Sequence, residues 1–185
     1  LNYMESLVPH FRENARTLYG CRRIAVPSRT SSHGYNIHFN EEYCHLFWTP
    51  GAAWASHFFY DYYLYTGDQD FLRDRALPFM KEAALFFEDF LIEGSDGFYR
   101  FNPSYSPENT PANSDSQACF NATMDIALVK ELLGNLISAC EVLDCDHQSV
   151  AKWQSMLEKM PAYQINEDGT LAEWTTDELL DNHQH

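Results

Sequence analysis

Apolar positions recur along the chain in five helical patterns, separated by polar or proline-rich stretches. Met4, Leu7, Val8, Phe11, Ala15, Leu18 and Tyr19 share one face of a helix over residues 4–19, and Gly20 is placed to end it. Residues 21–40 have no clear period, and 27–34 read as a long loop, which inside a compact domain is usually functional. Its Arg29, His33 and His38 could meet a polar ligand or be ordinary solvated side chains. Residues 51–65 are apolar or aromatic on nearly every side, which predicts a helix enclosed all round. Thr66-Gly67-Asp68 ends it, with Asp68 able to cap the next helix.

That next helix spans 69–92, with a break expected before Pro78. It buries Phe79, Met80, Ala83, Phe87, Phe90 and Leu91, and turns Lys81, Glu82, Glu88 and Asp89 to water. An enclosed helix followed by a one-sided one predicts an inner and an outer layer, the pattern of an α/α hairpin in a larger toroid or solenoid. Residues 93–97 turn the chain, and 98–101 form one arm of a short hairpin. Ile126, Val129, Leu132, Leu133, Leu136, Ile137, Cys140 and Leu143 share a face of a helix over 123–143, capped by Asn121 or Thr123. Asp125 falls in its first turn, where the helix dipole favours it, so a structural role is expected. Val150, Trp153, Leu157 and Met160 mark a last helix over 149–160. Residues 163–174 read as a second hairpin turned at Asp168-Gly169, bringing Glu173 and Trp174 to a common end. The expected fold class is therefore all-α, with short β-hairpins at the loop end.

Composition narrows the function. At 185 residues, 45% hydrophobic and 15% aromatic, the chain can bury a sizeable core and is not disordered. Thirteen Phe, eleven Tyr and four Trp either fill that core or line a groove that stacks on flat apolar faces such as sugars. A net charge of −15 argues against nucleic acid or an anionic membrane as partner. Polar residues interrupt every apolar run that might span a bilayer. Neither the opening Leu1 nor the closing His183-Gln184-His185 reads as a natural terminus, so a piece of a longer protein is expected. The five cysteines have neither a paired zinc spacing nor an even count, and buried free thiols are their default reading. His183-x-His185 could ligate a metal, but a two-His spacing is weak support, and no metal or cofactor is expected. Asn121-Ala122-Thr123 matches the N-glycosylation triplet, a match frequent by chance.

Candidate chemistry concentrates on Pro103-Ser104-Tyr105-Ser106-Pro107-Glu108-Asn109. Two prolines stiffen this stretch as an extended loop and present one carboxylate, Glu108, between Pro107 and the amide of Asn109. Rigid loops that hold a single acid are common in catalytic sites, although a surface Glu in a connector has the same appearance. No Gly-rich phosphate loop, tight repeat or Ser-His-Asp spacing competes with it.

Several segments together resemble glycoside hydrolase family 95. They are Asn14-Ala15-Arg16-x-x-Tyr19-Gly20-Cys21-Arg22, Trp48-x-x-Gly51-Ala52-Ala53-Trp54 and Tyr65-Thr66-Gly67-Asp68-x-x-Phe71-Leu72, then Pro103-Ser104-x-Ser106-Pro107-Glu108-Asn109, Thr123-Met124-Asp125 and Glu173-Trp174. The resemblance covers nearly the whole chain and implies roughly half of an (α/α)6 barrel. It also implies an inverting exo-enzyme that removes α-L-fucose or α-L-galactose from glycans, in the periplasm or outside the cell, with Glu108 as general acid. The family's base, a pair of asparagines upstream working with an aspartate far downstream, falls outside this chain. Arg23 departs from the family, where a Gly is usual. A general acid must stay protonated near working pH, so burial of Glu108 against apolar groups is expected. Trp48 and Trp54 are candidates for a sugar-stacking wall. Core packing competes, and is the stronger reading for Trp54 on its enclosed helix. Asn109 and Glu173 are further candidates for the substrate. A non-catalytic helical scaffold or glycan-binding module with the same fold is the alternative, and another sugar a third reading.

Overall fold

The structure is a computed structural model that describes residues 1–38 and 44–182. His183 and His185, the weak metal spacing, lie outside the described residues.

The first helical pattern is realised in pieces: α1 (Asn2–Ser6) and α2 (Val8–Asn14), with α2 continuing into a π-helical turn at Ala15–Tyr19. Gly20 ends it at φ 66°, a conformation that costs glycine nothing. A short 3-10 turn at His45–Phe47 precedes α3 (Gly51–Thr66), which Gly67 closes at φ 68° with its N–H on the Tyr63 carbonyl. Asp68 caps the following α4 (Gln69–Phe71) as expected, its Oδ1 accepting the Phe71 N–H at 2.9 Å. The break before Pro78 takes the form of a π-helical turn, Leu72–Ala76, leading into α5 (Leu77–Phe90). A wider turn tolerates a residue that has no N–H to give to the ladder, so the chain bends without leaving helix.

Strands β1 (Ile92–Glu93) and β2 (Tyr99–Arg100) form the first hairpin, pairing antiparallel with Ile92 opposite Arg100. Helix α6 (Thr123–Leu143) is the longest element, and α7 (His147–Glu158) follows after a tight corner. The second hairpin survives as a single bridge between Ile165 and Leu171, with Gly169 at φ 86° in the turn. Neither Asn121 nor Thr123 caps α6. Asn121 Oδ1 accepts the Phe101 N–H and Thr123 Oγ1 donates to the Ala172 carbonyl, so both side chains hold neighbouring loops instead. Asn121 is also buried, which rules out its triplet as a glycan acceptor in the folded chain.

Helices α3, α5 and α6 pack on one another, and α7 covers α6. Their shared interior is dense with aromatic rings: Phe59, Phe79, Phe86, Phe87 and Phe90 are all buried. The expectation that α3 is enclosed all round is not met. Trp54, Phe58 and Tyr62 are 42%, 55% and 42% exposed and, at i, i+4 and i+8, form one stripe along it. No helix among the described residues is long and apolar enough to cross a membrane.

Candidate active site

The proline-flanked loop is held from several sides. Ser104 exchanges both backbone hydrogen bonds with Cys119, at 2.9 and 3.0 Å. Its hydroxyl accepts the Ala122 N–H and donates to Asp125 Oδ2 at 2.6 Å. Tyr105 is fully buried, with its hydroxyl donating to Gln117 Oε1. Ser106 Oγ donates to the Glu173 carboxylate. Asn109 donates from Nδ2 to the Asn182 carbonyl at 2.9 Å, and its Oδ1 accepts the Thr110 N–H. The Asn102–Pro103 and Pro107–Glu108 peptide bonds are cis. On this fixed frame the Glu108 side chain projects outward and is 46% exposed.

Beneath the loop lies Asp125, which is wholly buried. Burial pushes its carboxyl up to about 8, against the Ser104 hydrogen bond that favours ionisation. The structural role expected for Asp125 therefore holds, but the cause differs: it anchors Ser104 and with it the acid-bearing loop, whereas the helix dipole alone was the reason read from the sequence.

Glu108 and Pro107 line a cavity of about 990 Å³ together with Trp48, Trp54, His45 and Arg29. That volume is ample for a sugar ring and its neighbour. Trp48 and Trp54 meet edge to face, ring centroids 5.8 Å apart at 62°, and form one wall that Phe58 and Tyr62 extend. Gly51 lets that wall form: a Cβ there would sit 2.2 Å from the Val26 carbonyl oxygen and 3.1 Å from the Trp48 ring. His45 Nε2 stands 3.9 Å from a Glu108 oxygen. Burial, then the nearby Arg29 charge, holds the His45 imidazole below its ordinary range in spite of Glu108. At neutral pH it is a neutral neighbour of the acid. Among the described residues, the cavity combines one carboxyl, able to give or take a proton, with an apolar aromatic wall that suits the C–H face of a pyranose.

The residues singled out from the sequence divide into two groups. Glu108, Trp48 and Trp54 line the cavity, as does Arg29. Trp54 is thus not a core residue; it belongs to the exposed stripe of α3. Asn109 and Glu173 do not line it. Asn109 is buried with its amide spent on Asn182 and Thr110, and Glu173 receives the Ser106 hydroxyl. The loop bearing Glu173 nevertheless meets the Glu108 loop, so the two converge at one end of the helices. The burial expected for Glu108 is not seen, since its side chain faces the open cavity. Sequence reading passed over His45, Phe58 and Tyr62. The last two had a signal in their four-residue spacing from Trp54, but it is hidden on a helix whose other positions are apolar too.

The model of the glycosyl hydrolase family 95 catalytic domain matches residues 1–185. The chain is similar to alpha-L-fucosidase 2 of Arabidopsis thaliana, with 30% identity over 180 residues that cover 95% of this chain and 21% of that protein. It is also similar to a protein of Aspergillus niger assigned as alpha-fucosidase A, with 28% identity over 140 residues covering 72% of this chain and 17% of that one. The chain therefore spans about a fifth of the length of these relatives. Among solved structures it superposes on a human-microbiome protein assigned as a kojibiose phosphorylase, with a TM-score of 0.69 over 93% of this chain and 26% of that chain. At 11% identity this likeness concerns the fold alone, an (α/α)6 barrel of which the helices here form a part.

Proposed function

The chain belongs to glycosyl hydrolase family 95, and from that premise we propose that it supplies the general-acid side of an inverting exo-glycosidase site acting on terminal α-L-fucose, or α-L-galactose, of glycans. The observation that carries this reading is the placement of Glu108: a lone carboxyl on a loop tied down at Ser104, Tyr105, Ser106 and Asn109, projecting into a cavity walled by Trp48 and Trp54. In this mechanism Glu108 protonates the departing glycosidic oxygen. Water attacks from the opposite face of the ring, activated by a base about 6.5–9.5 Å away that residues outside this chain provide. Trp48 and Trp54 stack on the sugar, while Asn109 and Glu173 serve the site by fixing the loop. A periplasmic or extracellular location belongs to the same proposal, because that is where such glycans are met.

The decisive experiment is Glu108→Gln in the full-length enzyme, assayed on two substrates. Glutamine keeps the size of an exposed side chain, so the fold should be unchanged. With a poor leaving group, turnover should fall by ~10²–10⁴-fold, the usual worth of general acid catalysis. With an activated aryl glycoside, whose oxygen departs without a proton, the loss should be far smaller. Equal losses on both substrates would show that Glu108 is not the leaving-group acid. No loss on either would remove Glu108 from the mechanism, while glycan binding without turnover in the unaltered full-length protein would favour the non-catalytic reading.

A further inference from the structure

Away from the cavity, the corner between α6 and α7 gathers a second group of chemically distinctive side chains. Cys140 lies in the last turn of α6, Cys145 follows the helix end, and Asp146 opens α7. Asp144 and Asp146 both adopt left-handed backbone conformations, at φ 48° and 52°, which fold the corner tightly. The Cys145 N–H closes it on the Cys140 carbonyl at 3.0 Å. As a result Cys140 Sγ, Cys145 Sγ and an Asp146 carboxylate oxygen all lie within 4.8 Å of one another. We propose that these three side chains bind a thiophilic divalent cation of the zinc class and clip the start of α7 to the end of α6.

The geometry and the charge both fit. In a tetrahedral zinc site with bonds of about 2.3 Å to sulfur, the sulfurs sit roughly 3.8 Å apart, so the present spacing needs only a small inward movement. Cys140 is almost wholly buried, Cys145 half-buried, and Asp146 exposed, which gives a dry inner side and an open entry path. Two thiolates and one carboxylate bring three negative charges against the two positive charges of the ion. The remaining charge is met by Lys81 of α5, which pairs with Asp146 Oδ2 and leaves the other carboxylate oxygen available. Each thiol releases its proton as its sulfur takes the metal, and water completes the fourth position. The C-x-x-x-x-C-D spacing is not a standard zinc signature, and only the doubled left-handed turn brings its members together.

The test uses the intact protein, kept reduced with a phosphine, and titrated with Co²⁺. One equivalent should develop thiolate-to-cobalt charge transfer and the intense visible bands of four-coordinate cobalt, release protons, and raise Tm with Zn²⁺ concentration. Cys145→Ser should at least halve the charge-transfer band, because one of the two thiolate ligands is removed. Cys140 and the distant Cys21, Cys44 and Cys119 remain in that variant, so a band of full intensity would overturn the proposal. Asp146→Asn alters an exposed side chain and should fold normally. It should weaken Co²⁺ binding by about tenfold or more, in line with the 10–100-fold seen even for groups that only support a ligand. Unchanged affinity in this variant, or no charge transfer in the wild-type protein, would equally sink the site.

Discussion

Around α5 the interior is aromatic. Phe59 stacks on Phe79 with centroids 4.3 Å apart, and Phe86 meets Phe87 edge to face at 5.1 Å. Beneath Glu108 the interior is polar: Ser104, Ser106, Asn109, Asn121, Thr123, Asp125 and Thr175 are all buried, tied to one another, to the Glu173 carboxylate or to backbone groups far away in sequence. Apolar burial is non-directional and tolerates rearrangement if volume is kept, so it makes a stable layer without fixing any one atom. Hydrogen bonds between buried groups are directional, and each orphaned partner carries a penalty, so they fix a point in space. The acid stands on the second kind of structure, while the helices beneath supply the stability that lets it stand there.

The first way to break this comparison is Phe87→Ala. It removes a fully buried ring from the aromatic layer and should cost about 3–5 kcal/mol in denaturant unfolding, with the remaining folded fraction of the full-length enzyme retaining its turnover. A loss below about 1 kcal/mol would mean that this layer is not closely packed. Ser104→Ala attacks the polar layer. It withdraws the hydroxyl that donates to the buried Asp125 carboxyl and should cost about 1–3 kcal/mol, yet depress turnover out of proportion, because the loop beside Glu108 loses its anchor. Proportional losses in both variants would erase the distinction between the layers.

The two layers were also unequally legible. Helical period and caps located α3, α5, α6 and α7 because a buried stripe repeats on a rigid period, and Gly20, Gly67 and Asp68 end or cap helices where local chemistry demands it. The Glu108 loop could be located by its prolines, but not its fastening: the partners of Asn109 and Ser106, Asn182 and Glu173, lie 73 and 67 residues away. Such pairings follow from tertiary placement, and no spacing rule encodes them. The enclosed reading of α3 failed for a related reason. Its apolar composition says that every face is suited to burial, not which faces this stretch of chain covers, and Trp54, Phe58 and Tyr62 are turned instead to the cavity.

Asp125 sharpens the comparison through pH. Its carboxyl, near 3.8 in an unfolded chain, is held up to about 8 in the fold by burial. Between those values the folded protein keeps a proton that the unfolded chain has released, so the stability from this group is complete below about 4 and is lost as pH rises through about 8. Asp125→Asn keeps a neutral hydrogen-bonding group and removes that dependence. The Tm of the variant minus that of the wild type should therefore increase steadily from pH 4 to pH 8. A difference that stays flat across this range would show that Asp125 is ionised in the fold.

The smallest expected effect lies outside both layers, at Arg23. This residue is exposed and sits at φ 67°, immediately after Arg22, whose guanidinium and backbone N–H both bond Asp89. The Arg22 anchor fixes the turn, so Arg23 must take the left-handed conformation whatever its side chain prefers. For a residue with a Cβ that conformation costs roughly 1–2 kcal/mol. Glycine escapes the penalty but gives back part of the gain, about 0.5–1 kcal/mol, through the greater freedom of its unfolded chain. Arg23→Gly should thus stabilise the protein by about 0.5 kcal/mol, read as a rise in denaturant midpoint at unchanged slope, with no effect on turnover. The resemblance to family 95, in which a Gly is usual at this position, is then explained by backbone conformation and not by chemistry at the site. A fall in the midpoint would show that contacts of the Arg23 side chain outweigh the strain, and would move this position from backbone geometry to side-chain packing.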